Sequence, residues 1–160
     1  MTFHRRETGR LNLNMKDLDV AKNRLNEAGL TLVIVKDENV IFESKLHGVS
    51  SFLEAIERFD DQLENSSVAD RVVGMSVALL CAYSHIKAVY GETLSRRAKT
   101  LLEENGVCSE STSLVERILN AERTGVCPFE QLVRRIRNPK VAYRKLVHTC
   151  SVNRAAKPKR

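Results

Sequence analysis

The stretch Leu30–Val35, "LTLVIV", limits the fold more than any other part of the chain. Six consecutive leucine or β-branched residues fit a strand buried on both faces, which belongs in the middle of a sheet. "KDEN" (Lys36–Asn39) supplies a turn, and "VIFES" (Val40–Ser44) returns as the hairpin partner. Before the hairpin, Leu18, Ala21, Leu25 and Ala28 share one face of a helix over Asp17–Ala28, and Gly29 stands at its C′ position. Any fold for this chain must pack that helix against a sheet.

The elements that follow alternate. Ser51 and Glu54 form a capping-box pattern, opening a helix with Phe52, Leu53, Ile56, Phe59 and Leu63 inward. A second helix is expected over Val68–Tyr83, apolar on most sides, where Gly74, Ser76 and Ala78 would admit a close neighbour. Strands are expected at Ile86–Gly91 and Val107–Ser111. Between them Ser95 caps a helix that Gly106 ends. "SLVERILNA" (Ser113–Ala121) reads as helical, as does Pro128 to about Arg137. Asn138-Pro139 starts the last helix with Asn at the N-cap and Pro at N1. A hairpin followed by β-α-β units predicts an α/β protein: a three-layer α/β/α sandwich around a mixed sheet of about four strands.

With 160 residues the chain has the size of one domain. Residues 1–15 read as a flexible arm, 16–148 as the domain and 149–160 as a basic tail. No apolar run approaches the roughly 20 residues that span a bilayer, and the first residues lack a signal-peptide core. A cytoplasmic protein with no membrane partner is therefore expected. Cys81, Cys108, Cys127 and Cys150 are widely spaced, and reduced thiols are expected, with Cys81 and Cys108 as small buried residues. The charge is uneven. Residues 131–160 hold ten Lys/Arg and no Asp/Glu, whereas 11–130 hold 13 basic against 19 acidic residues.

Two motifs carry a resemblance. "ADRVVG" (Ala69–Gly74) and "RTGVCPFE" (Arg123–Glu130), with the opening Asp17–Ser44, resemble an uncharacterised domain-of-unknown-function family of bacteria and archaea. Its members are marked by ADK-VVG-like and TG-x-CP-x-E motifs; Arg71 stands where that pattern has Lys. The resemblance spans about 17–148 and implies a cytidine deaminase-like fold, with no established activity.

A zinc deaminase carries H-x-E and P-C-x-x-C at facing helix N-termini, three ligands plus a Glu for proton transfer. Laid over H-x-E, Val68 replaces the His and Asp70 the Glu. The next helix N-terminus, Gly91–Ala98, has no Cys. His4, His47, His85 and His148 are scattered. Standard zinc-dependent deamination is not expected, nor any metal or cofactor. An anion such as phosphate would suit helix N-termini that hold no metal. Asp70 at N3 is either a first-turn cap with Ser67 or a functional carboxylate.

Pro128 at N1 puts Cys127 at an N-cap and Glu130 at N3. Such a thiol, near Arg123, is placed to form thiolate. Ser, Thr, Asp or Asn would cap better, so Cys127 answers either a packing need or a chemical one. Three functions follow. The first is a metal-free deaminase-fold protein that binds a small nucleotide-like or phosphorylated ligand, with processing of that ligand left open. Cys127 and Asp70 are its candidate catalytic residues, and Arg71, Arg123, Thr124, Gly125 and Glu130 its candidate ligand contacts. The second is a nucleic-acid- or protein-binding module using Arg134, Arg135, Arg137, Lys140, Arg144, Lys145 and the tail. The third is a structural or regulatory protein with an inactive pocket. A homo-oligomer is compatible with each.

Overall fold

A computed structural model describes the backbone of residues 3–156 and the side chains of 15–152. Five strands form one sheet: β1 (Leu32–Lys36), β2 (Asn39–Ser44), β3 (Ser67–Val73), β4 (Ala88–Ser95) and β5 (Cys108–Val115). Their spatial order is β2-β1-β3-β4-β5. β1 pairs antiparallel with β2 and β3, and β3, β4 and β5 run parallel. The helices are α1 (Phe3–Glu27), α2 (Ser50–Phe59), α3 (Met75–Tyr83), α4 (Arg96–Glu104), α5 (Pro128–Val133) and α6 (Pro139–Ala156).

β1 is an interior strand, as its composition requires, with Leu32 to Val35 all buried. Its two faces feed two cores. Val33 and Val35 pack with Leu18, Ala21 and Leu25 of α1. Leu32 and Ile34 pack on the other face with Phe52 and Ile56 of α2 and with α3. This is the expected three-layer α/β/α sandwich. Each fully buried Leu or Phe adds about 1.5–3 kcal/mol from area removed from water.

Local signals explain the element ends. Gly29 has φ +60, and Leu30 N–H donates to Leu25 O at 3.0 Å, closing α1. Asp37 and Glu38 both take positive φ in the hairpin turn. The buried Asp17 carboxylate accepts their N–H groups at 3.1 and 2.7 Å, tying α1 to the turn. Ser95 Oγ accepts Ala98 N–H at 3.1 Å and starts α4. Asn138 Oδ1 accepts from Lys140 and Val141 and starts α6.

Several expectations are corrected. The stretch Val68–Tyr83 is not one helix. Ser67–Val73 forms β3, Gly74 is the N-cap, and only Met75–Tyr83 is helical. A continuous apolar run does not separate buried strand from buried helix. Here pairing of Val68 with Ile34 and Val89 decides it. This strand makes the sheet five-stranded rather than four-stranded. Ser113–Val115 extends β5 instead of starting a helix, and a loop follows, held by a Leu119–Val126 bridge. The Ser51–Glu54 box does not form. Val49 is the N-cap of α2, and Ser51 Oγ bonds with Ser44 Oγ and Leu46 O. α1 starts at Phe3, within the expected arm, and α6 runs to Ala156, within the expected tail. Residues 1–2 and 157–160, also assigned to arm and tail, lie outside the described residues. Cys108 is exposed at the start of β5, whereas Cys81 is buried.

Candidate functional site

Because β1 and β3 are neighbours, their ends meet the N-termini of α2 and α3. A cavity of about 260 Å³ opens there. Asp70 lines it from β3, His47 and Gly48 from the approach to α2, and Cys127, Phe129 and Glu130 from α5. Asp70 and Cys127, 57 positions apart in sequence, thus border one space.

Asp70 sits on the strand, not at a helix N3 position, so the Ser67-x-x-Asp70 cap does not exist. Its Oδ1 accepts Val72 N–H at 3.1 Å. Burial pushes its carboxyl up from 3.8 to about 7, although the Val72 and Arg71 N–H groups pull the other way. The carboxyl therefore holds its proton well above the ordinary carboxylate range. Cys81 lies beneath it in α3; burial, then the Asp70 charge, raise its thiol well above the ordinary range. Cys81 stays a packed thiol.

Glu130 does something different from binding a ligand. Its Oε2 accepts Met75 N–H at 2.8 Å, and its Oε1 accepts Ser76 N–H at 3.2 Å and Ser76 Oγ–H at 3.1 Å. It caps α3 from a distance in sequence of more than fifty residues, satisfying the donors that a helix start leaves unpaired. Gly74 makes this possible, because a Cβ there would fall on the Glu130 carboxylate. The two sequence motifs therefore meet at Gly74 and Glu130, and the anion expected at this helix end is a side chain of the protein.

Arg71 borders the cavity, but its guanidinium points to the α1 C-terminus. It donates to Leu30 O and Leu25 O, both at 2.9 Å, to Asn26 Oδ1 at 3.0 Å and to Glu92 Oε2 at 2.8 Å. That is a structural clamp. Arg123, Thr124 and Gly125 stand on the exposed loop before α5 and do not line the Asp70 cavity. Asn120 holds that loop: its Oδ1 accepts Thr124 N–H at 2.9 Å and its Nδ2 donates to Thr124 Oγ1 at 3.0 Å. In this loop Arg123, not Gly125, takes positive φ. Cys127 is the N-cap of α5, half-buried, with no side-chain cap bond.

His47 and Gly48 were not among the expected site residues. Gly48 has φ +84, and the Phe129 ring lies against it. The available signal was position: "HGV" is the segment that enters the first helix after the hairpin. Once β3 is a strand, Val68–Asp70 is not a helix start, and the H-x-E that the resemblance implies would fall on this segment instead. Likewise the facing N-terminus is that of α3, Gly74–Val77, not Gly91–Ala98. One imidazole and no helix-start cysteine remain, so these residues do not fit a deaminase zinc. Among the described residues no three His, Cys, Asp or Glu side chains group as metal ligands, and no helix is long and apolar enough to cross a membrane.

Comparison with solved structures gives a DUF1893 family protein from Thermotoga maritima, 28% identical over 86% of this chain and 90% of that one, with a TM-score of 0.77. RibD from Acinetobacter baumannii is matched at 15% identity over 61% of this chain and 35% of that one, with a TM-score of 0.46. The dCMP deaminase of cyanophage S-TIM5, solved with dCMP and dUMP, is matched at 12% identity over 69% of this chain and 98% of that one, with a TM-score of 0.42. No functionally curated protein matches the sequence. The model of the domain of unknown function DUF1893 (TM1506) matches residues 20–149. The chain belongs to this family.

Proposed function

We propose that the protein binds a small, flat, polar ligand of nucleobase type in the Asp70 cavity, without a metal. The observation that carries this reading is the Asp70 carboxyl, lining a cavity of about 260 Å³ and titrating near 7. That volume is below the range of about 300–1,000 Å³ usual for drug-sized ligands and suits a single ring system. A neutral carboxyl both donates and accepts a hydrogen bond. It matches a ring edge that presents an acceptor nitrogen beside an amino group. Leu32, Val77, Ile118 and the Phe129 ring offer apolar contact for the faces of such a ring. Arg71, the one Lys or Arg among the residues lining this cavity, is committed elsewhere, so no cation here favours a phosphate. Cys127 borders the same space as a contact residue.

The test is thermal unfolding of the wild type, D70L and C127S with each free nucleobase and nucleoside at pH 6 and pH 8. A ligand at 100 times its Kd adds about 2.7 kcal/mol of stability. One base class is expected to stabilise the wild type, more at pH 6 than at pH 8, to keep its effect on C127S and to lose it with D70L. No stabilisation by any base, or the same stabilisation of D70L, overturns the reading.

A further inference from the structure

A second, larger recess adjoins the first across Glu130 and Ile118, with a volume of about 870 Å³. It lies beyond the C-terminal ends of the parallel strands β3, β4 and β5, where open α/β sheets place their ligands. Arg97, Arg117, Arg134, Arg135 and Lys145 line it. Among the described residues none of these five cations is paired with a carboxylate. The two carboxylates on the same wall are spoken for: Glu116 pairs with Arg96, and Glu130 caps α3. The N-terminus of α4, capped by Ser95, adds its dipole to the same space. Arg97 donates to Arg134 O at 3.0 Å, and all five residues are exposed, so water and salt screen their mutual repulsion; they still sum to a positive field over the recess that favours an anion.

We infer that this recess binds the phosphate groups of a small phosphorylated ligand. Its volume is that of a small-molecule site rather than an extended track. None of the residues lining it is aromatic, so it lacks the stacking platform that single-stranded nucleic acid uses. Arginine forks bind phosphate oxygens in pairs, and four of the five cations are arginines. The inference stands apart from the Asp70 reading, because it uses no residue whose charge depends on that cavity. If both hold, the two recesses share one ligand, a ring near Asp70 and phosphates near Arg117 and Arg135.

The test is calorimetric titration of the full chain with inorganic tripolyphosphate at fixed ionic strength. Saturable 1:1 binding is expected. Because hydrogen bonds to charged groups are worth about 1.5–3 kcal/mol, the pair R117Q/R135Q is expected to weaken it by roughly tenfold or more. The pair K140Q/R144Q removes the same charge from outside the recess and is expected to change it less than about twofold. R117Q alone, expected to show part of the loss, serves if the double variant unfolds. D70L is expected to leave tripolyphosphate affinity unchanged, which separates failure of this inference from failure of the Asp70 reading. No saturable binding, or equal losses with both pairs, overturns the inference. So does tighter binding of a single-stranded oligonucleotide that K140Q/R144Q weakens as much as R117Q/R135Q does.

Discussion

Replacing Asp70 with Asn isolates the cost of charging a half-buried carboxyl. Asp70 titrates at about 7 in the fold against 3.8 ordinarily. Between those values the folded chain holds a proton that the unfolded chain has released. Stability therefore falls as pH rises through this window, and the loss is complete above about pH 7. Each unit is worth about 1.4 kcal/mol, so the full cost of charging Asp70 is at most ~4 kcal/mol. Asn stays neutral at every pH, and its side-chain oxygen can keep the Val72 N–H bond of 3.1 Å. Subtracting the wild type from D70N cancels every other titrating group. Between pH 5 and pH 8 the D70N advantage is expected to grow by about 2–3 kcal/mol, from two units of unrelieved shift. For a chain of this length that corresponds to roughly 5–10 °C in Tm. Urea unfolding of both proteins at the two pH values measures it. Parallel changes in the two proteins, or a wild type that gains on D70N as pH rises, would refute the reasoning. The second outcome would mean a carboxylate stabilised by the fold.

Three further outcomes follow from the same geometry. E130A and G74A each remove the α3 cap and are expected to cost ~2–3 kcal/mol in urea unfolding; because they act on one contact, the double variant is expected to cost far less than the sum. R71K leaves the carbonyls of Leu25 and Leu30 without the guanidinium fork, and a loss of ~1–3 kcal/mol is expected with no change in nucleobase binding. E38G removes a side chain from a residue at φ 65 in the hairpin turn and is expected to add up to ~1 kcal/mol to stability, read from the urea midpoint.

Much of the fold is legible because its signals are local. "LTLVIV" needs two covered faces, and the structure gives it α1 on one and α2 with α3 on the other. Ser95, Gly106, Cys127-Pro128 and Asn138-Pro139 mark helix ends through bonds within a few residues. The stretch Ser67–Tyr83 is not legible in this way, since Val-rich and Leu-rich apolar runs look alike until strand partners are known. That one misreading moved the site: it put Asp70 at a helix start, aligned the deaminase ligand positions with the wrong segment and hid His47 and Gly48. Glu130 shows the second limit. Its spacing from Pro128 suggests a cap for its own helix, yet its carboxylate satisfies Met75 and Ser76. Arg71 shows the same limit, with a charge that the chain's linear order cannot aim. The shared cavity of Asp70 and Cys127 depends on those long-range contacts.

The most direct test of the central claim is a backbone amide NMR titration of the wild type and D70L with the base class that stabilises the wild type. The account predicts saturating shifts at Gly48, Asp70, Val72 and Cys127 that disappear with D70L while its remaining spectrum stays folded. Shifts of the same size with D70L, or shifts confined to residues away from this cavity, would contradict it.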